Sequence, residues 1–431
     1  MVDAHLLTMQ YRRLLPITSF ITPATLTVEW VEVPDTFIER VPRVDFTSLN
    51  FANLPEQQGV LETFSYSNPQ YSVIQAVAGS TAGGNILPIP SQHQNATWLL
   101  EFPGPALSCE SLDKSLALYS NISNNILTAM VAGGNQNDLG TCQRNFRYIS
   151  WVTTVDSGTA DTLNQLPFPN ITSSNDTYAP PSDTLGPKTD ANATATNALS
   201  LYIAALPGGN DTYFVQKCGL QDGTWAQPAL DLLANMAVAK CTLHNISYTT
   251  NFTYINGAQS INVTTHGLYN YVTGVDDVTG AYPLISGINQ GSPIYNVQLV
   301  ENIAYQAVMD VFGSMFVGTI TITSRGNSEI IDTKMAATPL LRTEEFIFLQ
   351  NSLSDTGNSL LGAADEGLWN GLSVQPLQNS TLSMNSVVSE MFKNATISLM
   401  SSSLLQLVLP FTNSRPPFIL TLSYAKYSRF Y

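Results

Sequence analysis

Between Ser247 and Thr265 two alternating runs of apolar and polar residues flank the dipeptide Asn256-Gly257. Both residues tolerate the positive φ of a two-residue type I′ turn, and Asn-Gly in such a setting is the strongest short-range hairpin signal. The turn fixes the register. Ile255 should oppose Ala258, Phe252 should oppose Ile261, Thr250 should oppose Val263 and Asn251 should oppose Asn262. Side chains alternate faces along a strand, so Thr250, Phe252, Tyr254, Ile261 and Val263 share one side. Asn251 and Asn262 share the other, and both are N-glycosylation acceptors, in Asn251-Phe-Thr and Asn262-Val-Thr. Asn245, in Asn245-Ile-Ser, is in phase with Asn251. The pattern predicts a sheet with a greasy face toward a core and an acceptor face toward water, outside the cytosol. This is an address and an architecture, not an activity.

The 431 residues suffice for a large core and for two or three domains. Charged residues make up 11% of the chain, where an ordinary globular protein carries about 25%. Asn, Ser and Thr take their place on the surface, which suits an exported protein kept soluble partly by glycans. Seventeen Lys and Arg against 32 Asp and Glu leave a net charge of −15, which disfavours nucleic acid and anionic lipid as partners. The acceptor motif occurs at Asn95, Asn121, Asn170, Asn175, Asn192, Asn210, Asn245, Asn251, Asn262, Asn379 and Asn394. Chance alone would supply roughly six or seven such motifs in this composition. The phase of the hairpin acceptors therefore carries more weight than their number.

Four cysteines, Cys109, Cys142, Cys218 and Cys241, form no Cys-x-x-Cys, so a zinc site of that spacing is absent. Three disulfide pairings are open. Cys109 with Cys142 and Cys218 with Cys241 is the favoured one, because sequence neighbours close loops early, each contributing about 3 kcal/mol in the chain-entropy picture.

The expected fold class is α+β, a sheet-dominated ectodomain with several packed helices. Residues 1–155 read as a β-rich half and 201–431 as an α+β half carrying the hairpin of 247–265. Between them 156–200, rich in Ser, Thr, Pro and Asn, reads as a surface excursion or linker. A single composite domain is the alternative. Strands are expected at 21–32, Tyr71–Val77, Thr97–Phe102, Phe146–Val155, Leu201–Leu206, Thr212–Gln216, Met315–Thr323 and Ala395–Met400. Helices are expected at 111–131, Gln227–Lys240, Val300–Phe312 and Thr338–Leu353. A further helix should start at the capping residue Ser383 and pack Val387, Val388, Met391 and Phe392. Arg12 and Arg13 precede only a short apolar run broken by Pro16, a poor export signal, and no run reaches the ~18 apolar residues of a membrane span. The expectation is a piece of a longer protein. The apolar tail 404–431, with Pro416 and Pro417, has no readable role.

Two Asp-Ser/Thr-Gly triplets, at Asp156 and Asp355, invite comparison with aspartic proteases, where two facing carboxylates share a proton to activate water. Only the first follows an apolar strand, and a dyad needs rigid elements beneath both members. Turns using Asp and Gly are the favoured reading. The register places His266 opposite Ser247 and His244 on the other face, so these two should not share a metal. Ser111-Leu-Asp-Lys114 fits Ser-x-x-Lys but lacks its companion motifs and sits on the expected helix of 111–131. Trp30, Trp98, Trp151, Trp225 and Trp369 are read as sheet packing rather than a sugar platform. No cofactor or metal is implied.

Three segments resemble a family of large fungal integral membrane proteins without established activity: Pro42-Arg-Val-Asp-Phe-Thr-Ser-Leu-Asn-Phe-Ala-Asn53, Phe102-Pro-Gly-Pro-Ala-Leu-Ser-Cys109, and Cys241-Thr-Leu-His-Asn-Ile-Ser-Tyr248 leading into Asn256-Gly257. Asn394-Ala-Thr-Ile-Ser-Leu399 is a weaker match. The resemblance implies a lumenal or cell-surface ectodomain, membrane-anchored through segments this chain lacks, with Cys109 and Cys241 in disulfides. The acceptor phasing and the absence of catalytic signatures, rather than the resemblance, give the expected role: a non-catalytic surface or ligand-sensing module, its partner an extracellular ligand or a cell-wall component. Some members carry a label borrowed from formylmethionine deformylases, but the His-Glu-x-x-His metal motif of those enzymes is absent here. A secreted hydrolase of aspartic-protease type, using Asp156 and Asp355, is the alternative.

Overall fold

A computed structural model describes residues 41–55, 66–131, 145–152, 198–207, 233–275, 297–322, 328–331, 333–349 and 382–406. In chain order the described elements are β1 (Ala52–Asn53), β2 (Asn68–Pro69), helix α1 (Tyr71–Gly83), β3 (Ala96–Ser111), helix α2 (Ala117–Val131), β4 (Asn145–Val152), β5 (Ser200–Ala205), β6 (Ala237–Ile255), β7 (Ala258–Tyr271), helix α3 (Val297–Phe316), β8 (Gly318–Ile322), β9 (Ser328–Ile331) and helix α4 (Met384–Ser398). The protein is α+β, with strands β3 to β9 in one antiparallel sheet.

β6 and β7 form the expected hairpin. Asn256 and Gly257 both take positive φ, 51° and 80°. Ile255 opposes Ala258, Phe252 opposes Ile261, Asn251 opposes Asn262 and Ser247 opposes His266. The tip is held from β3's side, where the Asn95 side chain accepts from Asn256 N at 2.7 Å and Gln94 O accepts from Gly257 N at 2.8 Å.

β6 is 19 residues long and is shared by two arms of the sheet. Along one edge it pairs with β3, from Ala96 opposite Tyr254 to Ser111 opposite Ala239. Along the other edge its first third pairs with β5 and the rest with β7. The two neighbours meet where Leu199 N donates to Val272 O, Leu243 N to Leu199 O and Val272 N to Leu243 O. From β5 the sheet continues through β4 and β8 to β9.

In the β4-β5-β6 half both faces are covered. Tyr148, Leu201, Ile203, Ala239, Cys241 and Leu243 face the main core, whereas Phe146, Trp151, Tyr202, Ala204 and Val238 face a second core closed by Tyr119, Ile122 and Ile126 of α2. α1, α3 and α4 pack together over the main core. α3 is placed by apolar residues at helical spacing, Val300, Ile303, Ala304, Ala307, Val308, Val311, Phe312 and Met315, all buried. It presses on β4 at Gly313, where a Cβ would stand 2.5 Å from Val152 Cγ2. α4 starts as expected, with Ser383 Oγ accepting from Ser386 N. In the hairpin half the described residues cover only one face. There Tyr254, Trp98 and Phe252 stack with centroids 5.0–5.1 Å apart, and Phe102 stacks on Tyr248.

Four expected elements are corrected. Tyr71–Val77 is helical, the start of α1, because Val73, Ala76, Val77 and Ser80 are buried on one helical stripe. Gln227–Lys240 is not one helix, since β6 pairs with β5 from Ala237 onward and with β3 from Ala239 onward. From Thr338 the chain first makes short 3-10 turns, Pro339–Arg342 and Glu344–Phe346, and is α-helical only at 347–349, with 350–353 outside the described residues. Ala395–Met400 continues α4 to Ser398 and a 3-10 turn beyond, with Thr396 and Ser398 hydroxyls bonding back to Phe392 O and Asn394 O. The strands of 21–32 and Thr212–Gln216, and residues 156–197 of the excursion, lie outside the described residues; Ala198 to Ser200 belong to the sheet.

Candidate functional site

Among the described residues, no element packs on the outer face of β3, β6 and β7. Its side chains stand in rows across three strands: Thr97, Thr253 and Ser260; Leu99, Asn251 and Asn262; Glu101, Thr249 and Thr264; Pro103, Ser247 and His266. Asn251, Asn262, Leu99, Glu101, Thr264 and His266 are exposed. The face is hydroxyl- and amide-rich, with Glu101 its single carboxylate among these rows. Behind it, Thr250, Phe252 and Tyr254 are buried, and Ile261 and Val263 pack against the core. The two-sidedness inferred from the alternation is therefore present in three dimensions.

The other described acceptors differ among themselves. Asn95 is half-buried and engaged with the hairpin turn through Oδ1, which leaves its nitrogen uncommitted by that bond. Asn121 lies on α2. Asn245 does not share the outer face with Asn251. It is half-buried and accepts from Tyr305 on α3 at 3.4 Å, so it faces the helices. Asn394 is buried, and its Nδ2, the atom a glycan would occupy, donates to Gly84 O at 3.0 Å. Asn170, Asn175, Asn192, Asn210 and Asn379 lie outside the described residues.

The favoured cysteine pairing is corrected. Cys109 is bonded to Cys241, 132 residues away in sequence but directly opposite it in the β3–β6 ladder, with a Cα–Cα distance of 3.9 Å. Sheet register, not loop length, chose the partner. Cys142 and Cys218 lie outside the described residues.

Titratable groups gather along α3. Asp310 accepts from Tyr66 OH at 2.6 Å, and burial raises its carboxyl to about 6 despite that bond. Burial and the nearby carboxylate push the Tyr66 phenol far up. More than two turns toward the N-terminus, Glu301 is raised by burial and then by Asp45. Tyr305 is raised by burial and by Glu301. His244 is buried against Tyr271, ring centroids 4.5 Å apart, and burial lowers its pKa. His266 is exposed opposite Ser247, so the two histidines do not meet. In the sequence Asp310 shows only as an interruption of an apolar run. A lone carboxylate among residues bound for the core is the available sign that it needs a partner such as Tyr66.

Asp156 and Asp355 both lie outside the described residues, so no dyad geometry exists to describe. Among the described residues no group of three or more His, Cys, Asp and Glu is arranged to hold a metal. No helix among them is long and apolar enough to cross a membrane.

Fold and surface together define an α+β protein with one long antiparallel sheet, which among the described residues has helices on both faces in one half and on one face in the other. Known protein families, curated proteins and solved structures yield no match to this chain.

Proposed function

We propose that the chain is the extracellular or lumenal module of a membrane-anchored glycoprotein, with a non-catalytic surface or ligand-sensing role. The observation that carries this reading is the pair Asn251 and Asn262, opposed in register and both exposed on the outer face. The Cys109–Cys241 bond agrees with a compartment that oxidises thiols. A second feature suits a domain held at both ends. Val44 pairs with Gln406, and Asp45 N donates to Leu405 O, so residues far apart in the chain lie side by side. On this reading the anchor is the membrane region of the fungal family that the chain resembles, and the outer face meets an extracellular ligand or cell-wall component.

The test is secretion. The full chain is expressed behind a cleavable signal peptide in a eukaryotic host and treated with an N-glycosidase. A mobility shift in secreted, folded protein supports the reading. Secreted, folded protein with every hairpin acceptor bare sinks it.

A further inference from the structure

We propose that the hairpin bears a single N-glycan, on Asn262, and that Asn251 stays bare in the same folded chain. The inference rests on the exported reading above and goes on to assign which acceptor is used. Opposed side chains in an antiparallel pair stand about 5 Å apart and project from the sheet in the same direction. Asn251 and Asn262 are such a pair. An N-acetylglucosamine ring with its acetamide and hydroxyls is broader than that gap, and each glycan continues into a branched oligosaccharide.

The two positions are not equivalent. Asn251 is on the middle strand, hemmed by Asn262 on one side and Leu99 on the other. Asn262 is on β7, which among the described residues pairs on this stretch with β6 alone. A sugar there leans outward over the free edge, while a sugar on Asn251 must stand between neighbours. Transfer precedes folding, so both acceptors are open to the transferase while the strands are apart. Crowding is felt when the hairpin closes. The turn, clasped by Asn95 and Gln94, leaves the strands no freedom to splay. Chains carrying both sugars cannot close the hairpin and are lost from folded material, whereas chains with one on Asn251 close it less readily than chains with one on Asn262 and are outcompeted by them.

The measurement is site occupancy in the full chain secreted from a glycosylating host. Lys240 and Arg325 bound one tryptic fragment holding both acceptors. Enzymatic deglycosylation in heavy-oxygen water marks each formerly occupied asparagine as labelled aspartate, and fragmentation locates the label. The expected result is one label on the pair, at Asn262. In N262Q the label should move to Asn251, with a lower yield of secreted protein. In N251Q occupancy of Asn262 should be unchanged. Both members labelled in the majority of fragments, or a label at Asn251 alone, overturns the assignment while leaving the exported reading intact. Asn251 remaining bare in N262Q also overturns it, since crowding would then not be the cause. Both acceptors bare in folded wild-type protein overturns the assignment and the exported reading together.

Discussion

Single side chains carry two tests of how the core is built. Thr250 is fully buried on the inner face of β6, and its hydroxyl has no hydrogen-bond partner among the described residues. A buried unpaired hydroxyl costs roughly 1–3 kcal/mol. Thr250→Val keeps the β-branch, and should stabilise the protein by about 1 kcal/mol in chemical denaturation. Asp310 gives the opposite kind of handle. Its carboxyl titrates at about 6 in the fold against an ordinary 3.8. The native state therefore holds an extra proton between those values. Stability from this group is greatest below about pH 4 and is lost as pH rises through 6. The full swing is on the order of 3 kcal/mol. Asp310→Asn should flatten that part of the pH–stability curve. Tyr66→Phe removes a bond that favours the charged carboxylate, and should move the midpoint of the decline above 6. A curve unchanged in both variants would disprove the coupling.

Elements show what can and cannot be read from local pattern. The β6–β7 hairpin is legible because its turn chemistry and its alternation are both local. Gly257 has φ 80°, and a methyl added there would meet open space, so backbone strain alone opposes substitution. Gly257→Ala should cost about 1 kcal/mol in thermal unfolding, with the rest of the fold intact. A loss far larger would mean the turn does more than join two strands. α1 reads as a strand because its residues 71–77 are too short a run for apolar spacing to separate the two periods. The run after Thr338 has helical apolar spacing, but threonine hydroxyls at 338 and 343 bond to nearby backbone and break it into separate turns. The phase of Asn245 fails for a different reason. Asn245 meets Tyr305 of α3, a contact that exists only in the assembled fold, and Asn245 alone gives no sign of it.

At the scale of the molecule the least legible feature is the Cys109–Cys241 bond, which no reading of loop lengths would choose. It depends on which strands are neighbours, and sheet order is a property of the assembled chain. Closing a loop of 132 residues contributes about 5 kcal/mol in the chain-entropy picture. The double variant Cys109→Ser with Cys241→Ser should lose several kcal/mol, measured by denaturant midpoint under oxidising conditions. No change would mean the bond does not form in solution. The same ladder has a mechanical meaning. β3 and β6 run antiparallel through 16 consecutive partners, about 50 Å, with the hairpin tip at one end and the covalent rivet near the other. A tug lengthwise on the tip loads those bonds in shear, all at once, instead of unzipping them singly. Such a strut transmits force from an outer contact to the body without yielding along the way.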